Sequence, residues 1–398
     1  MIYLDYQATT PLAPEVAEAM EPWAQEKFAN PHAPSRWGRE AAAAIEVARE
    51  QVQDAIYPNS VRVERSRDTS SPAERSLDDA RDERINGSLA FTGSATEALN
   101  WALKGTLEQA PRGRTRIVTI ATEHAAVLDS CDWLEGRGVE VTRLGVGDDG
   151  LIDPEALAAA LDERVALVAA MLVNNEIGVI QPIAAIADAA RKVGALMLCD
   201  AVQGLGRVPI PAGPDLIAVS AHKLHGPKGI GALWMREGAE PATLIHGGGQ
   251  ERGLRSGTLS PALCVGFGAA TKLAQERREQ DQDFLDCLWR TALAALGPSW
   301  TINGSEVRRC RGNLNIRRPG LDAARLISDL REIAFSLGSA CASGSGRPSH
   351  VLRALGLTPQ QTRASIRLGF GRYTTTRELE SACRRITEAA DAQRGLAA

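Results

Sequence analysis

The sequence predicts an α/β fold in which a mostly parallel sheet is covered by helices, with a second, smaller α+β domain. Through the first two thirds of the chain, short apolar runs alternate with Ala-rich helical stretches, a pattern typical of parallel sheets. From about Pro261 onward, long Arg/Glu-rich helical stretches surround short strands. The 398 residues are 44% hydrophobic and 24% charged, which suits about two or three domains and excludes fibrous or wholly disordered proteins.

The individual elements follow from apolar runs of strand length and the amphipathic stretches between them. The run 165–173 is apolar throughout and contains three valines, which indicates a buried strand. Strands are expected at 89–91, 116–120, 139–144, 165–173, 195–199, 216–219 and 313–317, and helices at 125–135, 154–161, 183–193, 269–296 and 377–393. We assign 13–260 to the large domain, and 1–12 together with 261–398 to the small one.

Residues 61–86 interrupt the pattern, because 13 of these 26 residues are charged and few are apolar. Such a composition predicts a solvated, disordered surface loop. The alternative interpretation is an arm that binds a partner.

Composition and cysteine spacing limit the cellular compartment and the kinds of partner that are compatible with the sequence. The seven cysteines contain no Cys-x-x-Cys pair, which fits neither a disulfide framework nor a zinc or cluster site. The formal net charge of −4 argues against general nucleic-acid binding. No signal peptide is recognisable, and the longest apolar run is too short to cross a bilayer as a helix. We expect a cytoplasmic protein without a metal, a membrane or a direct nucleic-acid partner.

A carboxylate and a lysine follow two successive strands of the predicted sheet. Asp200 ends one apolar strand, and Lys223 lies 23 residues later, just after the next. The pair suits pyridoxal phosphate chemistry, in which the lysine forms a Schiff base and the carboxylate keeps the pyridine nitrogen protonated. An isolated Asp and Lys would fit a surface position equally well, but the glycines behind Lys223 favour the cofactor site.

A phosphate site is expected beside that pair. The segment 92–98 turns from a strand into a helix, so the amides of Ala95 and Thr96 lie at a helix N-terminus, where anions bind. Ser220 and His222 are further candidate phosphate donors. His124 also follows a strand, where an imidazole could stack on a flat ring and transfer protons.

Six motifs, in order along nearly the whole chain, resemble those of cysteine desulfurases. They are YLDYQATTP at 3–11, EHAAVL at 123–128, VNNEIG at 173–178, SAHK at 220–223, RSGT at 255–258 and GSACAS at 338–343. The resemblance implies a fold type I enzyme of the class V aminotransferase group that uses pyridoxal 5'-phosphate.

The resemblance also implies roles for individual residues. Lys223 would carry the Schiff base, Asp200 would contact the pyridine nitrogen, and Gln203 would donate to the ring oxygen. His124 would stack on the ring, and the phosphate would be held by Thr96, Ser220 and His222. Thr258 would reach the phosphate of the neighbouring subunit of a homodimer. Asn175 and Arg367 would hold the substrate carboxylate, which a planar guanidinium can bind through two parallel hydrogen bonds.

The same resemblance makes Cys341 the nucleophile. It lies among small residues at 338–346, a composition typical of a mobile loop. Its thiolate would take sulfur from L-cysteine, leaving L-alanine and a persulfide. The persulfide would pass to a protein sulfur acceptor, either an iron–sulfur scaffold or a tRNA thiolation protein.

The sequence departs from the family pattern at several places, and two alternative functions stay open. The 61–86 segment resembles an insertion, Ser35 stands where relatives often have histidine, and Gly93-Ser94 reverses the familiar order. One alternative is another class V reaction, either aminotransfer or selenocysteine cleavage. The other is a catalytically impaired binding protein with a desulfurase-like fold.

Overall fold

A computed structural model of the chain describes residues 1–57, 86–338 and 349–395. Its strands β1–β13 span Ile2–Tyr3, Gly87–Thr92, Arg116–Ile120, Glu140–Leu144, Val165–Met171, Leu196–Asp200, Leu216–Ser220, Gly231–Arg236, Thr301–Ile302, Asn313–Arg317, Ile333–Ala334, Ser336–Leu337 and Ser365–Gly369. Its α-helices span Pro14–Gln25, Arg36–Ile56, Ala95–Gln109, Ala125–Glu135, Pro154–Ala160, Ile183–Lys192, Pro261–Glu276, Arg278–Leu296, Ala323–Asp329, His350–Ala354, Pro359–Arg363 and Thr376–Gly395.

The central sheet has seven strands in the order β2-β8-β7-β6-β5-β3-β4. Every pairing is parallel except those of β8, which runs antiparallel to both of its neighbours. The predicted mostly parallel sheet is confirmed. Its parallel strands end at one edge, where ligands of such sheets bind.

Apolar side chains of the sheet alternate between two faces, each covered by helices. On β2, Leu89 and Phe91 pack in the core formed with the helices Pro14–Gln25, Arg36–Ile56 and Pro261–Glu276. Ala90 points to the other core, formed with the helices Ala95–Gln109 and Ala125–Glu135. This period of two is the expected signature of strands buried on both faces.

The smaller sheet is antiparallel, in the order β12-β13-β10-β9. It has its own apolar core, which includes Leu4 near the chain start and residues of the last helix. The first residues thus pack with the smaller core, while Ala13 belongs to the larger one.

One helix differs from the sequence prediction. The expected single helix over 269–296 is two helices that meet at Arg277, whose backbone leaves the helical region. The first of them, Pro261–Glu276, packs against Arg36–Ile56 and lies in the larger core. The sequence pattern changes at 260/261, but this helix still packs with the larger core, and the domain boundary stays a prediction.

Among the described residues, no helix combines the length and apolar character needed to cross a membrane.

Candidate active site

Asp200 occupies the last position of β6, at the carboxyl edge of the sheet. Its side chain is buried, and its Oδ1 accepts a 3.0 Å hydrogen bond from the amide of Val202. Burial raises the pKa of the carboxyl group, whereas the charges of His124 and Lys223 lower it. Because β3, β6 and β7 run parallel in one sheet, Asp200, His124 and Lys223 all lie at the same carboxyl edge.

Lys223 lies in the 3₁₀ turn Ala221–Lys223 that directly follows β7. Its Nζ donates to the carbonyl oxygens of Gln7 at 2.6 Å and Ala8 at 2.7 Å. The ammonium group is therefore held at the sheet edge by the first residues of the chain.

The N-terminal segment is tied to this turn by several hydrogen bonds. The amide and the hydroxyl of Thr10 both donate to the carbonyl of His222 at 3.0 Å. The Nδ1 of His222 lies 3.2 Å from the hydroxyl of Thr9. Burial, with Lys223 and Lys228 nearby, lowers the pKa of His222 to about 4, so its ring is neutral near pH 7.

The predicted phosphate loop is a capped helix start. Ser94 caps the helix Ala95–Gln109 by accepting from the amide of Glu97 at 3.2 Å. Among the described residues, no acceptor is bonded to the amides of Ala95 or Thr96. Two unpaired amides at the positive end of a helix dipole fit a phosphate group.

The loop is held close to the sheet by a glycine and an ion pair. A Cβ on Gly231 would lie 2.6 Å from the amide nitrogen of Ala95, so only glycine fits there. Arg255 donates to Glu97 at 2.7 Å. Ser220, predicted to donate to the phosphate, is buried and donates to the Ile230 carbonyl at 3.4 Å.

His124 is the N-cap of the helix Ala125–Glu135, and its Nδ1 accepts a 3.1 Å hydrogen bond from the amide of Ala126. The neutral ring therefore carries its proton on Nε2. Burial lowers the pKa of His124, and the charge of Lys223 adds to this effect, while Asp200 opposes it.

Gln203 is buried one turn beyond Asp200, and both polar atoms of its side-chain amide are hydrogen-bonded. Its Nε2 donates to the Gln7 carbonyl at 3.0 Å, and its Oε1 accepts from Arg207 at 2.8 Å. One N–H of the amide is left for a further acceptor.

Arg367, on β13 of the smaller sheet, is only 1% exposed. It donates to Asp5 at 2.5 Å, to the carbonyl of Asn175 at 3.0 Å and to Ser336 at 3.3 Å. Its Nε is buried without a hydrogen-bond partner. The structure thus brings Arg367 and Asn175 together, with one donor left over for an anionic ligand.

The family model of class-V aminotransferases matches residues 2–62 and 82–381. The "Cysteine desulfurase IscS" of Rickettsia bellii is 40% identical over 394 residues, covering 97% of this chain and 90% of that protein. The protein of the same name from Rickettsia africae is 38% identical over 404 residues, covering 99% and 92%. The chain belongs to the cysteine desulfurases of the class-V aminotransferase family.

Solved structures share the desulfurase fold over almost the full chain. A structure titled "NIFS-LIKE PROTEIN" is 30% identical with a TM-score of 0.85, covering 98% of this chain and 99% of that one. A structure titled "SspA in complex with cysteine" is 31% identical with a TM-score of 0.75, covering 94% and 100%.

Two predictions for this desulfurase fall outside the described residues. Cys341 belongs to residues 339–348, and the 61–86 segment, except for Asn86, belongs to residues 58–85; neither range is among the described residues. Asn86 is described, and its carbonyl accepts a hydrogen bond from the amide of Glu237. Thr258 is exposed, so its contact with a second subunit stays a prediction.

The described cysteines of the desulfurase are mostly packing residues. Burial raises the pKa of the Cys131, Cys264 and Cys383 thiols to about 12, and it also raises the pKa of the Cys199 thiol well above its usual range. Thiols that stay protonated are poor nucleophiles.

Sequence reasoning missed several polar groups around the site. Glu123 is fully buried, accepts from the amide of Met171 at 2.8 Å and has an unpartnered Oε2; burial raises its pKa well above the usual range. Ser349 donates to the buried Glu176 at 2.5 Å, and the Nε2 of His350 donates to the Glu123 carbonyl at 2.9 Å. The EH and NNE motifs contained Glu123 and Glu176 without giving their contacts, and no motif pointed to Ser349 or His350.

Proposed function

We propose that this protein removes sulfur from L-cysteine with pyridoxal 5'-phosphate as cofactor, giving L-alanine and a persulfide on Cys341. The observation that carries the proposal is the convergence of Asp200, His124 and Lys223 at one sheet edge. Each of them ends or follows a parallel strand of the central sheet, which supports the cofactor chemistry predicted from sequence. The family membership of the chain supports the same reaction.

The residues present fit the cofactor. The amides of Ala95 and Thr96 would hold its phosphate, with Ser220 and His222 close to the same edge. Asp200 would bind the pyridine nitrogen, and Lys223 would bind the aldehyde carbon. When bound, the cofactor supplies an electron sink for the substrate α-carbon.

The burial of Asp200 makes its charge dependent on the site being filled. Desolvation favours the neutral acid, whereas a protonated ring nitrogen would favour the carboxylate. Asp200 would therefore hold a proton between its carboxylate and the ring.

His124 would handle a proton at Nε2. Because its Nδ1 accepts from the amide of Ala126, the neutral ring carries its proton on Nε2. The lowered pKa keeps the ring neutral near pH 7, where its Nε2–H can donate to a bound group.

Arg367 and Asn175 would bind the substrate carboxylate. The unpartnered Nε of Arg367 supplies a donor, and the burial of the guanidinium strengthens its attraction for an anion. Asp5 balances the charge of Arg367 before substrate arrives.

Cys341 would receive the sulfur. An S–S bond forms at its Sγ while the C–S bond of the substrate breaks, and the electron pair of that bond stays on carbon, which takes up a proton. The products are alanine and a persulfide, with no external oxidant.

The proposed assembly is a cytoplasmic homodimer in which Thr258 reaches the cofactor phosphate of the other subunit. The persulfide would pass to a protein acceptor, either an iron–sulfur scaffold or a thiolation protein, without a direct nucleic-acid or membrane partner.

The decisive experiment incubates the purified protein with pyridoxal phosphate, L-cysteine and a reductant, and follows alanine and sulfide together. We expect equal amounts of both, lost in Cys341→Ser and in Lys223→Ala. Alanine without sulfide, or activity that survives Cys341→Ser, would overturn the proposal.

A further inference from the structure

Arg207 bridges two residues of the site. Its Nη1 donates to the Oε1 of Gln203 at 2.8 Å, and its Nη2 donates to the backbone carbonyl of Lys223 at 2.7 Å. In the part of the chain that the structure describes, no ion pair links this guanidinium to a carboxylate. The guanidinium therefore donates to two neutral acceptors at the site.

The first of these bonds decides which way the Gln203 amide points. The nitrogen and oxygen of a carboxamide have nearly the same shape, so hydrogen-bond partners set its orientation. Because a guanidinium only donates, Oε1 must face Arg207. The Nε2 group is then directed toward the carbonyl of Gln7, 3.0 Å away, which also only accepts. A flipped amide would oppose donor to donor at one end and acceptor to acceptor at the other.

The second bond fixes the residue that would carry the cofactor. Arg207 holds the carbonyl of Lys223, while the Nζ of the same residue is held by the carbonyls of Gln7 and Ala8. Both ends of Lys223 are thus fixed before any ligand binds.

Arg207 reaches this position through a tight turn. Gly206 has a φ of +76°, in the left-handed region, and a Cβ there would lie 2.9 Å from the Cβ of Ala274. The Arg207 amide donates to the carbonyl of Gly204 at 2.9 Å. The turn carries the side chain back toward Gln203.

We propose that Arg207 is a positioning residue that keeps an N–H of Gln203 directed at the ring oxygen of bound pyridoxal phosphate. This inference rests on the proposed function. A donor to that oxygen stabilises its anionic form, so it lowers the pH at which the bound cofactor loses its proton and changes colour. Without Arg207 only the Gln7 carbonyl opposes a flip of the amide, so the orientation is held less firmly and the midpoint of the colour change rises.

The test is a double-mutant cycle on the cofactor-loaded protein, read as the pH midpoint of the visible absorption band. We expect Arg207→Met and Gln203→Ala each to raise the midpoint, by up to about 1 pH unit. In the Gln203→Ala background, Arg207→Met should add almost nothing, because Arg207 acts through Gln203. A wild-type midpoint in Arg207→Met, or the same shift in both backgrounds, would overturn the inference.

Two further variants serve as a control and as a substitute for Arg207→Met. Arg191→Met removes an exposed arginine that pairs with Asp188, and should keep the wild-type midpoint; an equal shift there would count against Arg207. If Arg207→Met does not fold, the cycle is run with Arg207→Lys, which keeps a donor but not the fork, and we expect a smaller shift that again disappears without Gln203. A wild-type protein with no absorption band after addition of pyridoxal phosphate would instead refute the proposed function.

Discussion

The Nη2 of Arg367 donates to the Oδ1 of Asp5 at 2.5 Å, across 362 positions of the chain. The guanidinium is almost fully buried, while the side chain of Asp5 is about one fifth exposed. An ion pair thus links the first residues to the last strand, at the place proposed for the substrate carboxylate.

Asp5→Asn is expected to lower the KM for L-cysteine, by about 3- to 10-fold. The amide keeps an acceptor for Arg367 but removes the negative charge that repels an incoming carboxylate. Steady-state kinetics measure the effect. Arg367→Lys is a control for the opposite direction, since this variant should raise the KM for L-cysteine by at least tenfold. An unchanged or raised KM in Asp5→Asn would mean that Asp5 does not oppose substrate binding.

The pH profile of kcat/KM should have an acidic limb from His124. Burial lowers its pKa below the usual 6.5, so activity should fall only as pH drops through that lowered value. His124→Asn should remove this limb and reduce kcat/KM by about 10²- to 10⁴-fold. A variant that keeps the acidic limb would assign it to another group.

Gly231→Ala should weaken cofactor binding by displacing the loop that starts at Ser94. The added methyl would lie 2.6 Å from the backbone of Ser94 and Ala95, which cannot move aside cheaply. We expect at least a tenfold rise in the dissociation constant for pyridoxal phosphate, measured by absorbance titration. Gly145→Ala is the matched control, since nothing lies within 4 Å of its added Cβ, and its constant should stay near that of wild type.

The free energy of unfolding should fall as pH is lowered from about 6.5 to about 4, in part because of His225. This residue is buried, and its pKa is lowered to about 4 by burial, so below pH 6.5 the unfolded chain takes up a proton that the folded protein refuses. The full loss is roughly 3 kcal/mol, complete near pH 4.

His225→Asn isolates that contribution. His225 has a φ of +67°, which Asn tolerates, so the backbone should be retained. Urea unfolding at pH 7 and pH 4.5 should show a smaller difference between the two pH values in the variant than in wild type. An equal difference in both proteins would exclude His225 as a source of the pH dependence.

The site residues that sequence located are those at strand ends. Asp200 ends β6, while His124 and Lys223 follow β3 and β7, and a parallel sheet necessarily brings such positions to one edge. The strands themselves were found because runs such as Val165–Met171 are buried on both faces.

The contacts that sequence did not predict join distant positions. Lys223 meets Gln7 and Ala8 across more than 200 residues, and Arg207 meets the Lys223 carbonyl through a turn. No period or spacing encodes such pairs, because they depend on how two packed units approach one another. The helix break at Arg277 was missed for a related reason, since charged residues continue on both sides of it.

The backbone of the N-terminal segment has a consequence for the order of events during synthesis. The carbonyl of Leu4 accepts from the amide of Gly369, and the amide of Tyr6 donates to the carbonyl of the same residue. During synthesis, Leu4 and Tyr6 therefore cannot form these hydrogen bonds until Gly369 has been added. Such late, non-local closure slows folding. A chain that ends before Gly369 would lack the strand partner of the segment whose Gln7 and Ala8 carbonyls hold Lys223.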